Sequence, residues 1–298
     1  MRWFCFLLGL ICGLGPPSAA SAPDPAEVPL RVMSFNIRYD NPADGENAWP
    51  HRRTAVAHLI RRHDAHAVGM QEALYHQLTD LQAQLPDYAW FGVGRDDGGR
   101  AGEFTAIWYH RERLDLLEQG TFWLSETPDM PGLGWDAACR RTVTWGRFRD
   151  RATHGRFILF NTHFDHHGRL ARQESARLLR RRIGQIAAGD PAVVTGDFNA
   201  PPGTEPLRIL TEDAPDGPPL CDSAAVTTSP CQGPPGTFHG FRPDAPLTEP
   251  IDYIFVERNW VVTAHHTLAD RPAGRWPSDH MPVLVALLAA DPAVGHHK

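Results

Sequence analysis

The sequence predicts a single α/β domain, and three observations carry that prediction. Short runs rich in β-branched and aromatic residues alternate with amphipathic helical stretches along the chain. Hydrophobic residues make up 42% of the 298 residues and charged residues 21%, which is enough apolar material for a packed core and excludes a disordered chain. No internal repeat, heptad array or linker between two cores breaks the interleaving.

Residues 30–38 (LRVMSFNIR) read as the first strand, followed by a polar loop over 40–48 that contains Asn-Pro and Asp-Gly. Pro50 opens a helix to about residue 62, with Ala55, Val56, Leu59 and Ile60 as its apolar stripe. A short buried strand over 67–70 ends at Gln71-Glu72, and a helix over 74–85 is closed by Pro86. Strands follow near 88–93, 103–109, 116–123, 142–149 and 157–164, the last running into a histidine-rich loop. The longest helix spans 169–188, with Leu170, Leu178, Leu179, Ile183 and Ile186 inward and Arg177, Arg180, Arg181 and Arg182 on a solvated face. A buried strand over 192–195 ends at Gly196-Asp197, and the Pro/Gly-rich stretch 213–235 is loop. The last strands are 251–256, 260–266 and 282–288, before a polar tail at 291–298 that holds His296 and His297.

The ends of the chain and its charge narrow the setting. Residues 1–22 have a basic Arg2, an apolar run from Trp3 to Leu14, breakers at Gly15, Pro16 and Pro17, and a final Ala-Ser-Ala. This is the plan of a secretory signal peptide cleaved after Ala22, too short to span a bilayer, so the expected protein is secreted or periplasmic with no stable membrane association. Cleavage leaves Cys139, Cys221 and Cys231. Cys221 and Cys231 flank a short loop and are the natural pair, a bridge worth about 2–3 kcal/mol; three unbridged thiols are the alternative. No cysteine has the spacing of a structural zinc site. Net charge is −6, from 29 basic and 35 acidic residues, which argues against a general DNA-coating role.

Chemistry-bearing residues gather where strands end. Asn36 and Glu72 close two strands; His163, Asp165 and His166 follow another; Asp197 and Asn199 follow a fourth. Asp252 starts a strand, and Asp279 and His280 just precede the last one. Strand ends on one edge of a sheet converge, and carboxylates crowded there repel one another unless a cation sits among them. Oxygen-rich ligands favour a hard ion, Mg²⁺ or Mn²⁺, and histidines beside it suit phosphoester hydrolysis.

Ser34-Phe35-Asn36, Gln71-Glu72, Asn161-Thr162-His163, Gly196-Asp197-Phe198-Asn199, Ile251-Asp252-Tyr253-Ile254 and Ser278-Asp279-His280 occur in that order. Together they resemble the endonuclease/exonuclease/phosphatase superfamily of DNase I-like metal-dependent phosphoesterases, across essentially the whole chain after residue 22. Finer wording (Asn-Ile-Arg-Tyr-Asp-Asn, Thr-His-Phe-Asp-His) is similar to an exported bacterial branch related to sugar-phosphate phosphatases and, more distantly, Ccr4-type deadenylases. The resemblance implies one domain over 23–290 with a four-layer α/β sandwich, two packed mixed β-sheets flanked by helices.

It also implies roles. Glu72 would be the principal Mg²⁺ ligand, with Asn36 beside it and Asp279 completing the oxygen shell. Asp197 would orient the attacking water, Asn199 would fix the phosphate, and His163 and His280 would contact it from two sides. Asp252 would keep His280 protonated, and Glu103 would do the same for His163. Outside the pattern, Asp165 and His166 are candidates for binding a substrate head group, and Arg140, Arg141 and Arg147 for gripping phosphate. Trp135, Trp145 and Phe241 are candidates for stacking, although aromatics more often belong to the core.

The expected function is an exported, Mg²⁺-dependent phosphoesterase, a monomer acting on a small phosphorylated substrate or a short nucleic acid. A nuclease on DNA or RNA is the alternative, ahead of a sphingomyelinase or a catalytically dead binding module. A serine hydrolase built on Ser278, Asp279 and His280 is excluded, because adjacent residues cannot meet as a triad.

Overall fold

The computed structural model of the chain describes Met1 and residues 28–290, apart from 214–216 and 243. The signal-peptide reading and the tail with His296 and His297 therefore lie outside the described residues. In chain order the elements are β1 (Leu30–Asn36), α1 (Trp49–Arg62), β2 (Ala67–Ala73), α2 (Tyr75–Gln84), β3 (Tyr88–Phe91), β4 (Phe104–His110), β5 (Leu114–Trp123), β6 (Thr142–Asp150) and β7 (Arg156–His163). They continue with α3 (Arg169–Ala187), β8 (Ala192–Asp197), α4 (Glu205–Thr211), β9 (Cys221–Asp222), α5 (Ser223–Val226), β10 (Asp252–Val256), β11 (Trp260–Thr267) and β12 (Val283–Ala289).

Two mixed six-stranded sheets form, in the orders β11-β12-β1-β2-β4-β3 and β5-β6-β7-β8-β10-β9. Side chains alternate along a strand, so each strand feeds two layers. Leu30, Val32, Leu159, Val193, Ile254 and Val285 point between the sheets. Met33, Phe35, Val68 and Met70 pack outward with Val56, Leu59 and Leu78 of the first two helices. Ile158, Phe160, Val194 and Phe255 pack against Leu179 and Ile183 of α3 and Leu207 of α4. The result is four layers, helix–sheet–sheet–helix.

At one end of the sandwich the inner rows turn polar. Gln71 donates to Asn161 Oδ1 at 2.7 Å, and Asn161 donates to the carbonyls of Met70 at 2.9 Å and Ala106 at 3.0 Å. Thr195 Oγ1 donates to Asn161 Oδ1 at 3.1 Å. The sheets approach so closely here that a Cβ on Gly69 would lie 1.9 Å from Thr195 Oγ1. This polar layer, in which only the buried Gln71 Oε1 lacks a partner among the described residues, ties one sheet to the other and forms the floor of the site.

Several expectations need correction. The stretch 213–235 contains β9 and α5, and α4 went unread because Pro201, Pro202, Gly203 and Pro206 masked its apolar residues. Leu170 is exposed, while Arg180 of the supposedly solvated face is fully buried. Arg180 donates to the carbonyls of Ile209 at 2.6 Å, of Glu212 at 2.8 Å and of Gly217, capping the C-terminal end of α4. Cys139, Cys221 and Cys231 are all free thiols, and Cys231 donates to the Ala224 carbonyl at 3.5 Å, so the expected bridge is not formed. Among the described residues no helix is long and apolar enough to cross a membrane.

Candidate active site

Inner-face alternation, carried to the strand ends, delivers Asn36, His163, Asp197 and Asp252 to one place. Asp197 stands opposite His163 on parallel β7 and opposite Asp252 on antiparallel β10. Glu72 breaks the pattern. Strict alternation would put it with Met70 among the helices, but a register shift between Met70 and Ala73 and a left-handed φ of 64° turn it back to the site.

Asn36 is the hub. Its Nδ2 donates to Glu72 Oε1 and to Asp197 Oδ2, both at 3.0 Å, and lies 3.4 Å from His280 Nε2. The ligand atoms of Glu72, Asp197 and His280 all fall within 4.8 Å of one another. The two carboxylates, Glu72 and Asp197, suit a divalent cation and could hold one, with the His280 ring facing it. The expected ligand set is redistributed. Asn36 turns its NH₂ to the carboxylates while its oxygen accepts from the Arg38 N–H at 3.0 Å, so in this orientation it bridges rather than ligates. Asp279 stands outside the cluster: Oδ1 accepts from Ser278 at 3.2 Å and Oδ2 lies 3.8 Å from Arg38 Nε.

The two histidines are electrically different. His280 Nδ1 meets Asp252 Oδ2 at 2.8 Å, and Nε2 points to Asp197 Oδ2 at 3.8 Å. Burial opposes charge on this ring, yet the charge and hydrogen bond of Asp252, with Asp197 and Asp279 nearby, hold its pKa well above the usual histidine value. His163 Nε2 accepts from Asn199 Nδ2 at 3.1 Å and lies 3.5 Å from Asp197. Burial, then the Arg141 and Arg95 guanidiniums, push its pKa well down, so it is neutral. Glu103 does not keep His163 charged: it accepts from Arg95 at 2.6 Å and stands 4.0 Å from the ring. Burial and the Asp252 charge raise Asp197 to about 7.

Asn199 adopts a left-handed φ of 47° and is held by Asp197 Oδ1, which accepts its N–H at 2.9 Å, and by the Phe164 carbonyl at 3.0 Å. Ser278 donates to the Asn36 carbonyl at 2.7 Å, which fixes the loop that carries His280.

Two substrate-binding expectations fail. Arg147 is tied to Glu118 at 2.9 Å, to Asp190 and to the Ile186 carbonyl at 2.7 Å, because β6 carries it away from the strand ends. Asp165 is buried and accepts from the N–H groups of Ala138, Cys139, His167 and Gly168 and from Arg141, so no oxygen is left for a head group. These donors overcome burial and hold its pKa below the usual carboxylate range. Its partner His166 stays half-exposed, bonded through Nδ1 to Arg141 at 2.9 Å. Cys139, Asp165 and His166 are also close enough to share an ion, but the Arg141 cation already occupies that position. Arg140 lies 3.8 Å from Asp96, and both Trp135 and Trp145 pack on the core.

Two residues were not anticipated. Arg52 is fully buried and donates to the carbonyls of Ile37, of Asn47 at 2.8 Å, of Arg38 at 2.7 Å and of Pro277 at 3.2 Å, joining the loops that flank the site. Its spacing of four from Val56 placed it on the apolar face, and that was the available signal. Phe238, partly exposed, sets its ring 4.8 Å from that of His280.

Comparison with known proteins agrees with this geometry. Residues 33–280 match the model of the Endonuclease/Exonuclease/phosphatase family. An endonuclease/exonuclease/phosphatase from Bacteroides vulgatus superposes with a TM-score of 0.84 at 41% identity, covering 88% of this chain and 100% of that one. A Bacteroides thetaiotaomicron mannosyl-6-phosphatase superposes with a TM-score of 0.81 at 38% identity, covering 87% and 99%. Drosophila melanogaster Nocturnin is 25% identical over 170 residues, which are 53% of this chain but only 25% of that protein. With the fold and the family match in agreement, the chain belongs to the endonuclease/exonuclease/phosphatase family of phosphoester hydrolases.

Proposed function

We propose that the protein is an exported phosphatase that uses Mg²⁺ or Mn²⁺ to hydrolyse a small phosphorylated substrate, a sugar phosphate being the first candidate. One observation carries the reading: the ligand atoms of Glu72, Asp197 and His280 gather within 4.8 Å while Asp252 holds the far side of the His280 ring at 2.8 Å. The mannosyl-6-phosphatase likeness at 38% identity supports a sugar phosphate. In this reading Glu72 is the principal metal ligand, and Asn36 ties its carboxylate to that of Asp197. The bound ion would offset charge developing on the phosphate oxygens. Asp197, raised by burial, takes a proton from the attacking water. The charged His280 donates from Nε2 to the phosphoryl group, and Asn199 and His163 orient it from the other side.

Phosphate release tests this directly. Mannose 6-phosphate, glucose 6-phosphate, nucleoside monophosphates, an oligonucleotide and sphingomyelin are compared with Mg²⁺ and with EDTA. Release from the small monoesters, lost in EDTA, is expected. Undiminished turnover in excess EDTA overturns the metal assignment, and cleavage of the oligonucleotide alone makes the protein a nuclease. Export is read from the N-terminus of the mature protein, expected at Pro23.

A further inference from the structure

Beside the site lies a cleft of about 480 Å³ between the start of α3 and α4, and Asn199 forms part of its wall. Three arginines line it, Arg169, Arg172 and Arg208, against a single carboxylate, Glu205. Glu205 is taken by Arg208 in an ion pair along α4. Arg172 donates to the Asp165 carbonyl at 2.8 Å and has no carboxylate partner among the described residues. Arg169 is exposed and likewise has no carboxylate within ion-pair distance among the described residues. The cleft is therefore positive on a chain whose net charge is −6.

The first turn of α3 does not supply this attraction. Its Leu170 and Ala171 N–H groups are already capped by Asp136, at 3.2 and 2.6 Å. What remains is a set of guanidinium forks, the groups best matched to phosphate oxygens. Two unneutralised arginines at the wall shared with Asn199 would be an unfavourable lining for a neutral leaving group and a favourable one for an anion.

We infer that this cleft binds a second phosphate of the substrate, next to the phosphate that is hydrolysed. The inference deepens the phosphatase reading and rests on it: the preferred substrate carries two phosphates, on a small molecule or along a short nucleic acid strand. Arg169 contacts that second group, while Arg172 sits deeper, adds its charge and also fixes the Asp165 loop.

The test compares mannose 6-phosphate, fructose 1,6-bisphosphate and a short 5′-phosphorylated oligothymidylate in the wild type and in Arg169→Glu. A carboxylate in the first turn of a helix suits the helix dipole, so this variant should fold. Arg111→Glu, an exposed site at the opposite end of β4 from Glu103, makes the same change in net charge and serves as the control. In Arg169→Glu, kcat/KM for the bisphosphate should fall about tenfold or more, with mannose 6-phosphate within about twofold of wild type; Arg169→Lys should recover part of the loss. An equal loss on the oligothymidylate would place strand phosphates in the cleft, and a loss on the bisphosphate alone would restrict it to small molecules. Calorimetric binding of fructose 1,6-bisphosphate in EDTA reads the cleft without turnover, and about tenfold weakening in Arg169→Glu is expected there too. Wild type that releases phosphate from none of the three contradicts the phosphatase reading. Unchanged bisphosphate binding and kcat/KM in Arg169→Glu, beside normal mannose 6-phosphate turnover, overturns the second-phosphate cleft alone.

Discussion

His280 and Asp252 meet at 2.8 Å, and their contact decides the charge of the ring. A histidine held well above its usual pKa adds stability that is fully present below about pH 6.5 and is lost as pH rises through the folded value. In the proposed mechanism the same proton serves catalysis. Asp252→Asn removes the acceptor charge 2.8 Å from Nδ1, so the rate should fall and the alkaline limb of the pH–rate profile should move to lower pH. His280→Ala should abolish most activity at every pH, and adding Asp252→Asn should cost little more, since the two act as one unit. Kinetics across a pH series check both; an unshifted limb with additive losses would show the pair uncoupled. Glu72 and Asp197 share the Asn36 amide but should separate in function. Glu72→Ala should raise the metal concentration needed for half-maximal rate, and excess Mg²⁺ should restore part of the activity. Asp197→Asn should cost roughly 10²-fold or more in kcat that added metal does not return. A metal titration of both variants checks this, and identical responses would mean the roles were wrongly divided.

Among elements, the loops around the site depend on two buried polar anchors. Arg52 of α1 reaches the carbonyls of Ile37, Arg38, Asn47 and Pro277, which lie on loops from distant parts of the chain. Burial lowers its pKa to about 10, still charged at neutral pH. Arg52→Met keeps the volume but leaves those carbonyls unpaired, so a loss of about 3–5 kcal/mol in denaturant unfolding is expected, with a lower kcat. Asp165 organises the loop from 136 to 139 and the start of α3. Its folded pKa is depressed, so its contribution is present above the unfolded value near 3.9 and lost as pH falls through the folded one. Asp165→Asn should therefore destabilise at pH 7 and flatten the acid limb of the stability profile. Urea unfolding at pH 7 and pH 3 measures both, and an acid limb as steep as that of the wild type would refute the assignment. The histidine-rich loop looked like a substrate contact in the sequence because its residues are polar and adjacent. Which of them face solvent depends on where the N–H groups of Ala138 and Cys139 arrive, and that contact spans 26 or more positions.

For the whole molecule, the proposed site depends on how closely two sheets meet. Gly69 touches none of the residues of the reaction, but a methyl group there would collide with Thr195 Oγ1 and with Asn161 Oδ1 at 2.6 Å. Both belong to the polar floor that ties the sheets together, so the neighbours cannot give way cheaply. Gly69→Ala should cost about 1–3 kcal/mol and lower kcat by moving Glu72 and Asn36 relative to Asp197 and His163. Unfolding and kinetics on the one variant test the link; full activity with lowered stability would break it. The residues at the ends of strands, and with them Asn36, Glu72, His163, Asp197, Asp252 and His280, were legible from the sequence alone. Period-two alternation and short apolar runs are local properties, and polar residues placed just after such runs stand out. The sequence by itself thus determined the α/β class and most strand positions, and through its resemblance to a known family the kind of chemistry. Tertiary structure decided which oxygens remain available. Asp165 and Arg147 carry groups as suitable as those of Asp197 and Arg169, but partners brought from other strands and loops consume them. Hydrogen-bonding capacity is spent through long-range contacts, and neither residue type nor spacing records where those contacts fall.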